Sequence, residues 1–572
     1  MMKIIRKNDV VTLKITALTS EGNGVGRIDE LVVFVPNTAV GDIAEVKIVK
    51  VLKTYAFGRL QKLLEPSKDR IENNCPVFEK CGGCAYRHIN YDAETREKAN
   101  QVFHNVSSIG KTDDFEKGNI LCNPQSTERY RNKGQYPVGL NADGEIVFGF
   151  YAPRSHRIIP VEDCLLQPQI FKEILFEIKA FLTQNNVSVY DENTNKGLIR
   201  HVYLRRGSVS GEIMVCFAVN GKTFTGVNAL SSRLCEKFPQ IKSVVLNINK
   251  AKNNVILGEK CITILGSDTI NDTMCGLNVK LSPLSFYQVN HDMAERVYKK
   301  AGELADFKGN ETLLDLYCGA GLIGLSLAKK VKKVVGIEIV APAVENAREN
   351  AKNNGIDNAE FYLGDASLVS DLINKGYKFD TAIVDPPRKG LGVDVIDALS
   401  VSGAEKIVYV SCNSATLSRD IALLKDKGFK CESVIPADLF PRTIHCETIA
   451  LLSRQFNLHN MKLHSSPFEM IKSGQKTIEL RLFDEKRRQI KTGDKIVFTN
   501  TATGETLSAT VVKMHRFDSF EELYKKLPLL KCGYTTEDVD KAHPADMERY
   551  YSATEQNKYG VVGIELSNVQ KL

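Results

Sequence analysis

The run Val410-Ser-Cys-Asn413 ends an apolar stretch, KIVYV, and is followed by SATLSRD, which reads as the first turns of a helix. A thiol at a strand-to-helix turn is either a small core residue or a nucleophile held at the mouth of a cleft. Its surroundings in the sequence favour the nucleophile. Asp385-Pro-Pro-Arg388 ends another apolar run, FDTAIV, and Glu447 lies in FPRTIHCET beside His445. A thiolate can add to an electron-poor carbon, and a carboxylate or imidazole nearby can take up the proton that such chemistry releases.

These groups need elements to position them. From about residue 295 the chain alternates helical and extended segments: ERVYKKAGELA, TLLDLYCGAGLIGLSLAKK, KKVVGIEIV, AVENARENAKNNG, AEFYLGDA, FDTAIVDPP and KIVYVSCN. The alternation predicts a doubly wound α/β domain, whose ligands bind outside the carboxyl ends of the parallel strands. Cys412 and Asp385 each end a strand of that sheet and so face one crevice.

Gly319-Ala-Gly321-Leu-Ile-Gly324 satisfies G-x-G-x-x-G, a weak signal when alone. It is preceded by Asp315 and followed at the next strand end by Glu338, where an acidic side chain can accept hydrogen bonds from ribose hydroxyls. Asp365 stands where an adenine would be met. A nicotinamide enzyme has no evident use for the Asp385-Pro-Pro-Arg388 element, whereas a methyltransferase that uses S-adenosylmethionine (SAM) does. Oxygen and nitrogen acceptors need only positioning, but C5 of uracil is a weak nucleophile until something adds at C6. A thiol is therefore expected where carbon is methylated, with Glu447, or alternatively His445, removing the C5 proton.

The rest of the chain predicts three further domains. Residues 1–62 alternate as short strands between Gly-rich turns, VVTLKITAL, SEGNGVGRI, LVVFVPN and IAEVKIVKVL, which predicts a small barrel of the oligonucleotide-binding kind. Residues 63–284 form a β-rich central domain with an amphipathic helix near 92–107 that packs on the catalytic domain, which spans 285–455. Residues 460–572 are a separate C-terminal module. The 572-residue chain carries a modest +7 charge, which permits a nucleic-acid partner without requiring one. No secretory h-region and no long apolar run is present, so the expected location is the cytoplasm, with no membrane partner and a monomeric state. Cys75, Cys81 and Cys84 crowd into ten residues, CPVFEKCGGC, and a reduced compartment makes a metal site a better reading than disulfides. Arg131, Lys133, Arg200, Arg205 and Arg206 lie on strand-like segments with aromatic neighbours and are candidates to hold phosphates.

YQVN around Gln288, DLYCGAGLIGL, DPPRKGL, VSCN and FPRTIHCETIALL occur in an order that resembles the RNA (uracil-5-)-methyltransferase family. The resemblance covers residues 1–455 and implies that Cys412 is the nucleophile and Glu447 the proton acceptor. It implies that Gln288, Tyr317, Glu338 and Asp385 line the SAM pocket, and that residues 1–62 are a TRAM domain. It further implies that Cys75, Cys81, Cys84 and Cys164 hold a [4Fe-4S] cluster, as in the branch acting on 23S ribosomal RNA. Four thiolates at that spacing suit structural zinc equally well. Cys122 is expected to be structural. The implied substrate is RNA, 23S rRNA in preference to tRNA. The tail departs from the family: SGQKTIELRL and TGDKIVF resemble an ASCH domain, a β-barrel related to the PUA fold, with Lys476, Glu479 and Arg481 alternating along one strand face.

Two other readings are possible. An amino-group methyltransferase would place an aromatic residue after Asp-Pro-Pro, where this chain has Arg388, and would not need a thiol. A non-catalytic RNA-binding or redox-sensing protein would have no reason to keep Cys412, Glu447 and the glycine loop together.

Overall fold

A computed structural model describes residues 5–572, so the first four positions of the expected N-terminal domain lie outside the described residues. The chain divides into two compact units: residues up to 398 with 406–422 and 431–452, and residues 453–572 with 399–405 and 423–430.

In the first unit, residues 10–65 form a six-stranded sheet in which Val10–Lys14 and Ala17–Leu18 are the two edges. The alternation read from the sequence is realised: Val33, Val35, Ala44, Val46, Ile48 and Ala56 are fully buried beneath it. The central sheet has seven strands, from Ile158–Pro160 through Lys133–Leu140 and Ile199–Arg206 to Lys260–Gly266, with helices Gln169–Gln184 and Val227–Lys237 joining its core.

The strand order of the eight-stranded sheet explains why strand ends matter. Thr312–Leu316 is flanked on one side by Lys333–Glu338 and Ala359–Leu363, and on the other by Thr381–Val384 and Lys406–Ser411. These five strands are parallel. The chain leaves Thr312–Leu316 in one direction and later returns to its opposite edge at Thr381–Val384, which opens a crevice at that switch point.

Two segments of the central region join this sheet. Glu116–Lys117 pairs in parallel with Phe429–Ala437, and the hairpin Ile270–Met274/Leu277–Leu281 buries its apolar face in the same core as the glycine-loop helix. The helix expected near 92–107 runs Tyr91–Ser108, capped by the Asn90 side chain accepting from the Ala93 N–H at 2.8 Å. It packs against the loop after Phe429–Ala437 through buried charges. Lys98 Nζ donates to Glu94 Oε1 at 2.8 Å, to Asp438 Oδ1 at 2.7 Å and to the Phe440 carbonyl at 3.2 Å. Tyr91 donates to Asp438 Oδ2 at 2.8 Å, and the Arg442 N–H donates to Glu94 Oε1 at 2.6 Å. Burial alone would push the Lys98 ammonium down, but the carboxylates of Glu94 and Asp438 push it up, so it stays charged.

The second unit carries a curled five-stranded sheet in the order Leu458–Leu463, Lys495–Asn500, Thr506–Phe517, Val561–Lys571, Ile478–Leu482. Bulges between Ser508 and Thr510 and between Val511 and Lys513 bend its longest strand. Among the described residues no helix is long and apolar enough to cross a membrane.

Replacing Lys98 by Met leaves Asp438 buried without its counter-ion and Glu94 with Arg442 alone, which costs about 3–5 kcal/mol. The expected result is a large drop in the urea midpoint, most of it recovered when Glu94→Gln and Asp438→Asn are added. A midpoint unchanged by Lys98→Met would show that the cluster contributes nothing to the fold.

Candidate active site

Four of the expected residues stand at adjacent strand ends on the crevice side. Tyr317 follows Leu316, Glu338 ends Lys333–Glu338, Asp385 follows Val384 and Cys412 follows Ser411. Backbone conformation accounts for the shape of the first turn. Tyr317 and Gly319 have φ of 62° and 54°, and Gly321, with φ of 76°, caps helix Leu322–Leu327. At Gly324 the reason is contact: its N–H donates to Asp315 Oδ2 at 3.0 Å, and a Cβ there would lie 2.7 Å from the same oxygen. Asp315 is thus the strut under the loop. It is buried, its Oδ1 has no partner among the described residues, and burial pushes its carboxyl up to about 7.

Glu338 is fixed by two backbone donors, Gly319 N–H at 3.1 Å to Oε2 and Val340 N–H at 2.9 Å to Oε1. Beside it, Ile339, Val340 and Leu363 are apolar and exposed at the rim of the crevice. Gln288 sits next to Tyr298, whose hydroxyl lies among Asp385, Gln288 and Asp315 and whose ionisation is pushed up by burial. Tyr298 was not anticipated; its only trace in the sequence is an apolar position on helix His291–Ala305. Asp365 is exposed, and its Oδ1 accepts from the Ser367 N–H at 2.9 Å and the Ser367 hydroxyl at 2.6 Å at the start of helix Ser367–Asn374.

Cys412 is half-buried, and its thiol is pushed up by burial and by Glu447 and Asp385, against the pull of Arg388. Glu447 is the first residue of strand Glu447–Arg454 and is buried. Burial and the Asp385 carboxylate raise it to about 8, with Arg388 opposing, while burial takes Asp385 to about 7. The thiol, two proton-holding carboxyls and one guanidinium therefore share a neighbourhood, although 27 residues separate Cys412 from Asp385 and 35 separate it from Glu447. His445 lies at the edge of this group, with Nε2 3.5 Å from Arg388 Nη2 and its ring edge-on to Phe440 at 5.8 Å. Burial, then Arg388, Arg131 and Lys98, depress it to about 4, so it is neutral at pH 7. Arg388 was noticed only for what it is not, an aromatic residue; its charge at the site is the finding.

The cysteines Cys75, Cys81, Cys84 and Cys164 interact electrostatically with one another. The Gly83 N–H donates to Cys81, the Leu166 N–H to Cys164 and the Arg87 guanidinium to Cys84, so three sulfurs already have donors suited to thiolate. Among the described residues, however, no three His, Cys, Asp or Glu side chains converge closely enough to hold a metal ion. The donor chemistry suits a thiolate-bound group and the side-chain spacing does not.

Two of the proposed phosphate holders are structural. Arg200 is buried, stacks on Tyr190 at 4.4 Å and donates to the Asn249 and Ala251 carbonyls, and Arg205 is buried with donations to the Ser282 and Ser285 carbonyls at 2.7 Å each. Lys133, also largely enclosed, is pushed down to about 8 by burial and by Arg205 and Arg131. In the second unit, Lys476 and Arg481 point their charges at buried Glu479, at 3.0 and 2.8 Å.

Comparison with known proteins supplies the context. Residues 240–455 match the family model described as tRNA (Uracil-5-)-methyltransferase, residues 6–61 match the TRAM domain and residues 461–570 match the ASCH domain. A Staphylococcus aureus (strain MSSA476) protein described as an uncharacterized RNA methyltransferase is 41% identical over 455 residues, 79% of this chain and 100% of its own length. A Clostridium tetani (strain Massachusetts / E88) protein of the same description is 40% identical over 451 residues, 78% of this chain and 97% of its own. Among solved structures, the Pyrococcus abyssi tRNA (uracil-54, C5)-methyltransferase in complex with S-adenosyl-L-homocysteine superposes with a TM-score of 0.62 at 26% identity, covering 77% of this chain and 99% of that one. On that identity over 79% of its length and those family matches, the chain belongs to the RNA (uracil-5-)-methyltransferase family and is an enzyme of that kind, with a TRAM domain before its catalytic part and an ASCH domain after it.

Proposed function

We propose that the protein methylates C5 of a uridine in RNA through a covalent bond between Cys412 and C6. The observation that carries this reading is the meeting of Cys412, Glu447, Asp385 and Arg388 at the carboxyl end of the sheet. SAM, when bound, supplies an electrophilic methyl group. Glu338, with its carboxylate fixed by two N–H groups, suits ribose hydroxyls, and the exposed apolar rim of Ile339, Val340 and Leu363 suits an adenine. Gln288, Tyr317 and Asp385 complete the proposed cofactor set.

In this scheme the half-exposed Cys412 thiol gives its proton to solvent and the sulfur bonds to C6, so that the electron pair of the C5–C6 double bond becomes available at C5. Arg388, beside the thiol, opposes the two carboxyls that hold it protonated. C5 takes the methyl group as that group's bond to the sulfonium breaks, Glu447 in its ionised form accepts the C5 proton, and the returning electron pair re-forms the double bond as the C6–S bond breaks. Carbon methylation needs such a base, and a carboxyl raised to about 8 is a far stronger one than a solvated glutamate.

The RNA is proposed to be tRNA. The matched family description and the Pyrococcus abyssi enzyme both name tRNA, so this reading has better support than the 23S rRNA expected from the cysteines. The specific observation favouring the ribosomal reading is the cysteine group, for which we propose a [4Fe-4S] cluster held by Cys75, Cys81, Cys84 and Cys164. The sulfur-directed N–H groups of Gly83 and Leu166 support that assignment, and no step of the chemistry passes through it. We read residues 1–62 as an oligonucleotide-binding barrel, 63–284 as the central domain, 285–455 as the catalytic domain and 460–572 as an ASCH module.

Incubated with SAM and either tRNA or 23S rRNA containing 5-fluorouracil, the enzyme is expected to form a denaturation-resistant adduct with tRNA, because fluorine cannot leave as a proton; Cys412→Ala forms none. Adducts that persist in Cys412→Ala would end the covalent reading, and trapping on 23S rRNA alone would reverse the choice of substrate.

Glu447→Gln is expected to accumulate a covalent adduct on ordinary RNA. Its folded carboxyl titrates near 8 against 4.5 unperturbed, so between those values the native state keeps a proton that the unfolded state has lost, and stability falls as pH rises. The variant should therefore melt about 2–4 °C above wild type at pH 8 and show no gain at pH 4.5. Normal turnover by the variant would remove Glu447 from the role of base.

Purified anaerobically, the protein should carry about four irons per chain with a visible absorption band, both lost in Cys84→Ser. One zinc and no iron would replace the cluster by a structural metal.

A further inference from the structure

The turn that carries Arg388 has little structure of its own. It lies between strand Thr381–Val384 and helix Val393–Val401, and within itself it is held by the Gly390 N–H donating to the Pro387 carbonyl at 2.8 Å. Arg388 is exposed, and its guanidinium meets His445 Nε2 at 3.5 Å, the long limit of a hydrogen bond. Where such a side chain can reach is set by what holds the main chain at its root.

One face of helix Ser414–Asp426, the helix that follows Cys412, does the holding. Asn413, Thr416, Arg419 and Asp420 stand at steps of three and four residues and so lie along that face. The Arg388 carbonyl accepts from the Thr416 hydroxyl at 3.2 Å and from Asn413 Nδ2 at 3.4 Å. Arg419 Nη2 donates to the carbonyls of Lys389 at 3.0 Å and Leu391 at 3.1 Å. Asp420, fully buried, aims Arg419: its Oδ1 accepts from Nε and Nη2 of that residue at 2.9 and 2.6 Å. Its Oδ2 accepts from the Leu391 N–H and the Tyr409 hydroxyl at 2.7 Å each. The approach is tight: a Cβ on Gly390, whose φ is 75°, would lie 2.5 Å from Asp420 Oδ2 and 2.7 Å from Arg419 Nη2.

The helix therefore has the thiol at its entry and the turn of Arg388 along its side. Glu447 and Asp385 hold Cys412 in its protonated form, and Arg388 is the cation that opposes them. We propose that Thr416 and Arg419 are positioning residues for Arg388, keeping its guanidinium at a fixed station beside the nucleophile. The inference rests on the reading of Cys412 as nucleophile and adds a mechanical source for its activation. Arg419 is not among the charges that act on the thiol; its own charge is spent on Asp420 and two carbonyls. Attraction between charges falls with distance, so a turn free to drift by about one or two ångströms weakens the opposition to Glu447 and Asp385 without removing Arg388.

The test follows alkylation of Cys412 by iodoacetamide in the full chain without RNA, read on the Cys412 peptide by mass spectrometry across about pH 6–10. Arg388→Met is expected to move the midpoint of the rate profile up by about 1 pH unit. Arg419→Met and Thr416→Val are each expected to move it up by about half as much, and Thr416→Ser, which keeps the donor, restores the wild-type midpoint. The deciding comparison is non-additivity: on the Arg388→Met background, Arg419→Met and Thr416→Val move the midpoint no further. A shift that persists on that background would overturn the proposal, because it would mark the lost charge of Arg419 or a loosened helix rather than a displaced Arg388. So would an unmoved midpoint in both single variants. Should Arg419→Met fail to fold, Thr416→Val, which removes one hydroxyl, carries the comparison alone. Adduct formation by the wild type with 5-fluorouracil RNA is measured in parallel: adducts together with unmoved profiles sink the positioning role alone, and no adduct sinks the nucleophile on which it rests.

Discussion

The arrangement depends first on the ammonium of Lys98. It is buried between Glu94 of its own helix and Asp438 of the loop that leads to Glu447, and it also holds the Phe440 carbonyl. An ion cluster of this kind is weak evidence for stability, since apolar replacements often do as well. What it supplies here is a fixed path for a loop with little regular structure. Tyr130 and Asn290 donate to the carbonyls of Pro441 and Leu439 at 3.0 Å each, so the loop is held from three segments far apart in the chain. Glu447 and His445 inherit their positions from that scaffold.

The crevice works against the economy of folding. Asp315, Asp385 and Glu447 are acids enclosed where water cannot solvate them, and burial raises all three well above the usual carboxylate range. An apolar core would avoid that cost. A raised carboxyl is a stronger base once ionised, and the guanidinium of Arg388 favours the ionised forms of Glu447 and Cys412 alike. The site is thus a place where stability is given up for reactivity.

Much of this was legible in the sequence because strand ends are local features. The apolar runs before Tyr317, Glu338, Asp385 and Cys412 specify parallel strands, and parallel strands bring their carboxyl ends together whatever the loops do. The helix at Tyr91–Ser108 was equally visible. Partners set by tertiary packing were not. Nothing local distinguishes Arg200 and Arg205, which are spent on backbone carbonyls, from an arginine free to meet phosphate. Tyr298 looks like any apolar position on its helix. The hairpin Ile270–Leu281 falls by sequence in the central region, yet its apolar face is buried in the catalytic core.

The Arg442 carbonyl accepts the N–H groups of both Ala85 and Tyr86, at 2.8 and 3.1 Å, immediately after Cys84. The cysteine turn and the loop of the base are therefore a single mechanical piece, although more than 350 residues of chain lie between them. Insertions in either segment would have to be matched by the other, and a chimera assembled from two relatives would have to exchange both together.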